Sequence, residues 1–150
     1  MAGRWFEQFV DGETIVHDTR RTVTETDNVI FTTLSMNPAA IHLDHDYSSQ
    51  TEFGKPLMNS VFTLGLVVGL TIADTTLGTT VGNLGFEEVK YPKPVFAGDT
   101  IRAETTVVAK RESKSRPTQG IVTFIHRGIN QRNEVVCECR RLALMMKAPA

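Results

Sequence analysis

Residues 61–73 form the longest apolar run of the chain, with hydrophobic side chains at every angular position a helix would offer. A helix on a protein surface keeps one polar face, so one that is apolar all round is surrounded by protein. Asn59 and Ser60 precede the run as N-cap candidates, and Gly78 lies beyond its end. Roughly 15 residues of helix would measure about 22 Å. Gly65 and Gly69, four apart, mark a stripe along which another backbone can come close. Beyond this helix the period changes from 3.6 to two. Strand-like blocks occupy 82–90, 100–110, 119–130 and 134–147. In the second block Ile101, Ala103, Thr105, Val107 and Ala109 alternate with polar neighbours such as Arg102 and Glu104. That is the pattern of a half-buried antiparallel strand. The short, polar Asn130-Gln131-Arg132-Asn133 connection predicts that the last two strands form a hairpin.

Upstream, Trp5, Phe6 and Phe9 form an apolar anchor before an Asp11-Gly12 turn, and the β-branched stretch Thr14–Thr22 predicts a first strand. Thr24 and Asp27 have capping-box spacing, which starts a short helix with Ile30 and Leu34 on one face, beside Asp27 and Phe31. Asn37-Pro38 ends it, because the residue before a proline resists helical geometry. A loop through His42 and Asp44 follows, then a helical turn at 47–53. One buried helix followed by an antiparallel meander implies a sheet curling around that helix, in a single α+β domain.

Composition adds mostly exclusions. The chain has 150 residues, 41% hydrophobic and 22% charged, with a formal net charge of −1. A domain of this size buries enough surface to need no disulfide or metal staple. Near-neutral charge gives no general attraction to nucleic acid or to an anionic membrane. The run at 61–73 is short for a membrane span, and the N-terminus is acidic where a signal peptide is apolar. A soluble, cytoplasmic protein is expected. Cys137 and Cys139 point the same way from one strand, which suits two packed thiols better than a disulfide. The histidines lack metal-site spacing, so no metal is expected; His17, His45 and His126 read as surface or strand residues.

Four segments, in this order, resemble the MaoC-like dehydratase family, which includes the (R)-specific enoyl-CoA hydratases. They are Thr22-Val23-Thr24-Glu25-Thr26-Asp27, the loop from Asn37 to Asp44, Phe53-Gly54-Lys55-Pro56-Leu57, and Pro94-Val95-Phe96-Ala97-Gly98-Asp99-Thr100. The resemblance spans about Phe6 to Leu144. It implies a single hot-dog domain over 1–150, an antiparallel sheet wrapped around a long buried central helix. The family's hydration loop ends in a histidine preceded five residues earlier by an aspartate. Here those positions hold His42 and Asn37, and the proline before Ile41 is absent. The loop is closer to a subgroup associated with branched or dicarboxylic esters such as mesaconyl- and itaconyl-CoA.

Hydration of a 2,3-enoyl thioester needs a base for water, an acid for C2 and donors for the enolate oxygen. An imidazole can fill either proton role near neutral pH. The resemblance implies a catalytic His42; a loop histidine bonded to backbone is the bland alternative. Asn37 can orient water but cannot take its proton. Asp44, two residues from His42, is either a replacement carboxylate or the cap of the next helical turn. The first amides of the central helix have no intrahelical partner and offer an oxyanion site. The resemblance places this at the Ser60 amide, with Asn59 as a further donor or a plain N-cap. Lys114 and Arg116, in the basic turn 110–116, either meet coenzyme A phosphates, from a neighbouring subunit if need be, or are a solvated hairpin tip. By resemblance, Asn83, Leu84, Gly85 and Phe86 lie along the pantetheine.

The expected function is a hydratase or dehydratase of a short enoyl-CoA, branched or dicarboxylic acyl groups included. The substrate's coenzyme A is the only cofactor-like group. A homodimer or multiple of it is expected, because an open sheet edge is most simply closed by a second copy. A non-catalytic acyl-CoA-binding or partner subunit is the alternative that Asn37 keeps open. A hot-dog thioesterase is the other, although the central helix carries no acid before Asp74.

Overall fold

The computed structural model describes residues 3–149. A 3₁₀ turn, Phe6–Gln8, leads into strand β1, Thr14–Thr22. Four helices follow: α1 (Glu25–Leu34), α2 (Ala40–Leu43), α3 (His45–Ser49) and α4 (Ser60–Thr71). The chain then forms β2 (Thr80–Lys90), β3 (Thr100–Glu112), β4 (Gln119–Ile129) and β5 (Val135–Met146). The strands make one antiparallel sheet in the order β1-β3-β4-β5-β2. The meander β3-β4-β5 is its centre, and β1 and β2 are its two edges. Among the described residues no helix is long and apolar enough to cross a membrane.

Alternation decides which face of the sheet receives α4. Ile101 and Ala103 of β3 and Val136 and Cys137 of β5 pack with Val67 and Leu70 of the helix. Gly128 on β4 sets the depth of that contact: a Cβ there would lie 2.3 Å from Val67 Cγ2. A second core cluster joins Phe6 and Phe9 to Val107, Val122, Phe124 and Met145, so these two aromatics anchor as expected, while Trp5 is half-buried outside the cluster. Cys137 and Cys139 are free, buried thiols, and burial pushes them up to about 12 and about 11. They are packing groups, not nucleophiles.

One expectation is corrected: α4 is covered by its own chain on one side only. Val61 is 58% exposed, and a Cβ at Gly65 or Gly69 would meet nothing within 4 Å. On α1 the face that carries Ile30 and Leu34 is the outward one, Leu34 at 79% exposure, while Asn28 and Thr32 are buried. Of the two readings of His17 and His126, surface or strand, the strand one holds, and both side chains are buried. Thr105 Oγ1 lies 2.8 Å from His17 Nε2 and 2.8 Å from His126 Nδ1, and His17 Nδ1 lies 2.8 Å from Asp74.

Candidate active site

The loops between α1 and α4 converge on the N-terminal end of α4 through a small set of bonds centred on Asn28. Thr24 and Asp27 form the expected capping box, which fixes the start of α1 at Glu25. From there the Asn28 side chain donates to the carbonyls of His42 (2.9 Å) and Leu57 (3.0 Å). Its oxygen accepts from the Asn59 N–H at 2.8 Å. Asn59 in turn donates through Nδ2 to Thr32 and caps α4 by accepting from Val61 N–H at 3.0 Å. Asn28 thus ties α1, the His42 loop and the head of α4 together. Sequence reasoning missed it. Its signal was a polar residue four positions before Thr32, a second polar stripe on a helix read by its apolar one.

His42 sits on α2 with its ring pinned by one bond, Nδ1 to the Leu57 carbonyl at 2.7 Å. A carbonyl can only accept, so Nδ1 carries a proton, and in the neutral ring Nε2 is the acceptor. Nε2 has no protein partner among the described residues. Leu57 N–H returns a bond to Ile41 O, and residues 57 and 58 pair with 96 and 95. The histidine is therefore held by backbone that is itself held in a ladder. Asp99 braces the same corner. Its carboxylate accepts from Phe96 N–H, Gln131 and Arg132. Burial alone would raise its pKa; the Arg132 and Gln131 bonds outweigh this and hold it below the usual carboxylate range. Gly98, at φ +97, makes the turn that lets Asp99 face back.

Three residues on from Leu57, Ser60 opens α4 and lines a cavity of about 210 Å³. Most of the wall is apolar: Phe53, Leu57, Met58, Pro94, Val95 and Val136. Thr63, Tyr91 and Lys93 complete it. The neighbouring amides of Met58, Asn59, Val61 and Thr63 all have acceptors, whereas those of Ser60 and Phe62 have none among the described residues, and of these two only Ser60 lines the cavity. The Tyr91 phenol faces the Ser60 hydroxyl; burial, with Cys137 beside it, raises its pKa and keeps it a neutral donor. The result is an unengaged N–H on the wall of an apolar cavity, with a neighbouring wall residue, Leu57, holding the His42 ring through its carbonyl.

The other expected site residues separate. Asp44 is corrected to a cap: its carboxylate accepts from Tyr47 N–H at 2.9 Å and starts α3, at His45 rather than Tyr47. Asn37 is part of the loop architecture, its oxygen accepting from Ala39 N–H at 2.9 Å, which leaves only its Nδ2 donor for other work. Asn59 is the N-cap, its amide nitrogen turned to Thr32 rather than to the cavity. Asn83, Leu84, Gly85 and Phe86 lie on the open edge strand β2, whose end leads to Tyr91 on the cavity wall. Asn83 accepts from Arg141 Nε at 3.4 Å, while Leu84 and Phe86 are exposed. Lys114 and Arg116 sit in the β3–β4 turn, at the far end of a 13-residue strand from the cavity. That is about 40 Å along β3, so in one chain they cannot serve the His42 site. Among the described residues no group of three or more His, Cys, Asp or Glu side chains is placed to hold a metal ion.

Comparison with known proteins adds the family. A model described as "MaoC like domain" matches residues 8–128. Mesaconyl-CoA hydratase of Cereibacter sphaeroides is 37% identical over 97% of this chain and 42% of its own length. A putative MaoC domain dehydratase of Chloroflexus aurantiacus superposes with a TM-score of 0.90 at 31% identity, covering 99% of this chain and 43% of that one. A MaoC-like dehydratase of Rhodospirillum rubrum gives 0.85 at 28% identity, covering 99% of this chain and 100% of that one. The chain spans about two fifths of the length of the first curated relatives it matches.

Proposed function

Because this chain belongs to the MaoC-like family and has the hot-dog fold, we propose that it adds water across the 2,3-double bond of a short enoyl-CoA thioester. The observation that carries this reading is the Ser60 amide, without an acceptor on the wall of an apolar cavity, beside Leu57, whose carbonyl holds His42 Nδ1–H and so leaves Nε2 as the acceptor of the neutral ring. The water oxygen adds to C3 as its proton passes to Nε2. The charge that builds on the thioester oxygen is held by the Ser60 N–H, at the positive end of α4. The imidazolium then returns a proton to C2, so one water is consumed and the histidine is regenerated. Asn37 Nδ2 is the donor left to orient that water. The chemistry asks for no cofactor beyond the coenzyme A that the substrate carries.

Cavity size bounds the acyl group. A cavity of about 150 Å³ holds benzene, so about 210 Å³ holds roughly eight non-hydrogen atoms. Short acyl groups fit, including a five-carbon branched dicarboxylic one such as the mesaconyl group named for the Cereibacter relative.

The assembly we propose is a homodimer through β2. Its edge is unpaired, and Val81, Leu84 and Phe86 on it are exposed. Pairing β2 antiparallel with its copy continues the sheet. It also brings the second copy's β3–β4 turn to the end of the sheet where this chain's His42 lies. Lys114 and Arg116 would then approach coenzyme A phosphates from the neighbouring subunit, with the pantetheine along Asn83 to Phe86. Asn37, which cannot accept a proton, favours a second reading, a non-catalytic acyl-CoA-binding subunit. One assay separates them: incubation with crotonyl- and mesaconyl-CoA, following enoyl absorbance and free thiol. Loss of absorbance without thiol release supports hydration; tight binding with neither change supports the second reading; thiol release points to a thioesterase.

A further inference from the structure

One wall of the cavity carries a cation that an acyl pocket for plain hydrocarbon does not need. Lys93 lines the cavity together with six apolar residues, and forms no ion pair among the described residues. The carboxylate in its neighbourhood, Glu134, is already engaged by Arg132 at 3.0 Å and by Asn130 at 2.8 Å. The other lysine in this corner, Lys55, stands over the Phe96 ring, 4.6 Å from its centroid. Lys93 is also set in a stiff segment, Pro92-Lys93-Pro94, between the end of β2 and the turn held by Asp99. A residue before proline is confined to extended backbone and each proline fixes its own φ, so the stem of Lys93 starts from a restricted position. Tyr91, two residues earlier on the same wall, supplies a neutral phenol donor.

The atom count leads to the same chemistry. With the thioester carbonyl at Ser60, roughly six of the eight atoms the cavity holds lie beyond it. Two olefinic carbons, a methyl branch and a carboxylate make up that number. We propose that Lys93 is a specificity-determining residue that selects acyl groups ending in a carboxylate, through a charge-assisted contact supported by the Tyr91 hydroxyl. This rests on the hydration reading for its reaction but not for its binding.

The test is a ratio. kcat/KM is measured for mesaconyl-CoA, carboxylate-ended, and for hex-2-enoyl-CoA, neutral and of nearly equal size, with the wild type, Lys93→Gln and Lys93→Arg. The wild type should favour the carboxylate by about tenfold or more, the scale of one charge-assisted bond near solvent. Lys93→Gln should lower that ratio about tenfold, mainly through KM, and Lys93→Arg should keep it within about threefold. A wild-type preference for the neutral chain, or a Lys93→Gln ratio within about twofold of wild type, overturns the assignment. If neither substrate turns over, hydration is the reading that fails. Lys93 is then judged by the dissociation constants of methylsuccinyl-CoA and hexanoyl-CoA, with the same ratios expected and the same result overturning it.

Discussion

His126 should make the fold sensitive to mild acid, by an amount that can be worked out. Its ring is fully buried on β4, stacked 5.4 Å from Phe124, with Nδ1 on the Thr105 hydroxyl and Nε2 without a partner. Burial lowers its pKa from 6.5 to about 3, and the nearby Arg141 and His17 act in the same direction. Between those two values the unfolded chain carries a proton that the folded chain does not. Stability is therefore complete above pH 6.5 and is lost as the pH falls from there toward 3. From pH 7.5 to 5.5 the loss is about 1.4 kcal/mol, a factor of ten in the folding equilibrium. For 150 residues that lowers Tm by about 4 °C. The assay is thermal unfolding at both pH values and one protein concentration, for the wild type and His126→Gln. The variant starts less stable, but its drop between the two pH values should be smaller by about those 4 °C. Equal drops would refute the reasoning, because they would mean that His126 takes up a proton as readily when folded as when unfolded.

Three further outcomes follow from the same geometry. His42→Gln should lower kcat on the best enoyl-CoA by about 100-fold or more with Tm nearly unchanged, since it removes the proton acceptor from a half-exposed ring; near-wild-type turnover would clear His42 of the role. Asn28→Ala removes three hydrogen bonds from a residue 2% exposed, and should cost about 2–4 kcal/mol in urea unfolding as well as most of the activity. Gly128→Ala should cost about 1–3 kcal/mol by driving a methyl into Val67, and Val67→Ala in the same chain should recover part of it; an additive pair would show that α4 does not seat there.

The sheet was largely legible in the sequence because its signals are local. Alternation along 101–107 and the capping box at Thr24 and Asp27 needed no knowledge of the rest of the chain, and both stand where they were read. His42 was legible through its loop. What holds it was not, because the Leu57 carbonyl lies 15 residues away and the Asn28 bonds reach across 14, 29 and 31. No periodicity in the sequence records such a pairing. Asp44 shows the converse. Its proximity to His42 in sequence suggested chemistry as one of two readings, and the structure has it in the other, a cap that stands three residues before a free amide and satisfies that orphan donor at once.

The error on α4 has a cause that bears on how the site is completed. The helix was read as if an apolar side chain must find its cover within the same chain. Ile30, Leu34 and Val61 do not, and neither do Leu84 and Phe86 on the open strand. The polar residues that sequence reading would have turned outward, Asn28 and Thr32, are instead inside, holding the histidine loop to the head of α4. An exposed apolar face on the two helices that carry the site is costly for a lone chain in water, where each large side chain left uncovered forgoes roughly 1.5–3 kcal/mol. In the proposal above a second copy covers these faces. Assembly and activity are then coupled through the same elements. Lowering protein concentration until the dimer parts should reduce turnover per chain, and light scattering on the same dilution series should show both transitions at one concentration. Full activity in a proven monomer would separate the site from the interface and leave the exposed faces of α1 and α4 without this explanation.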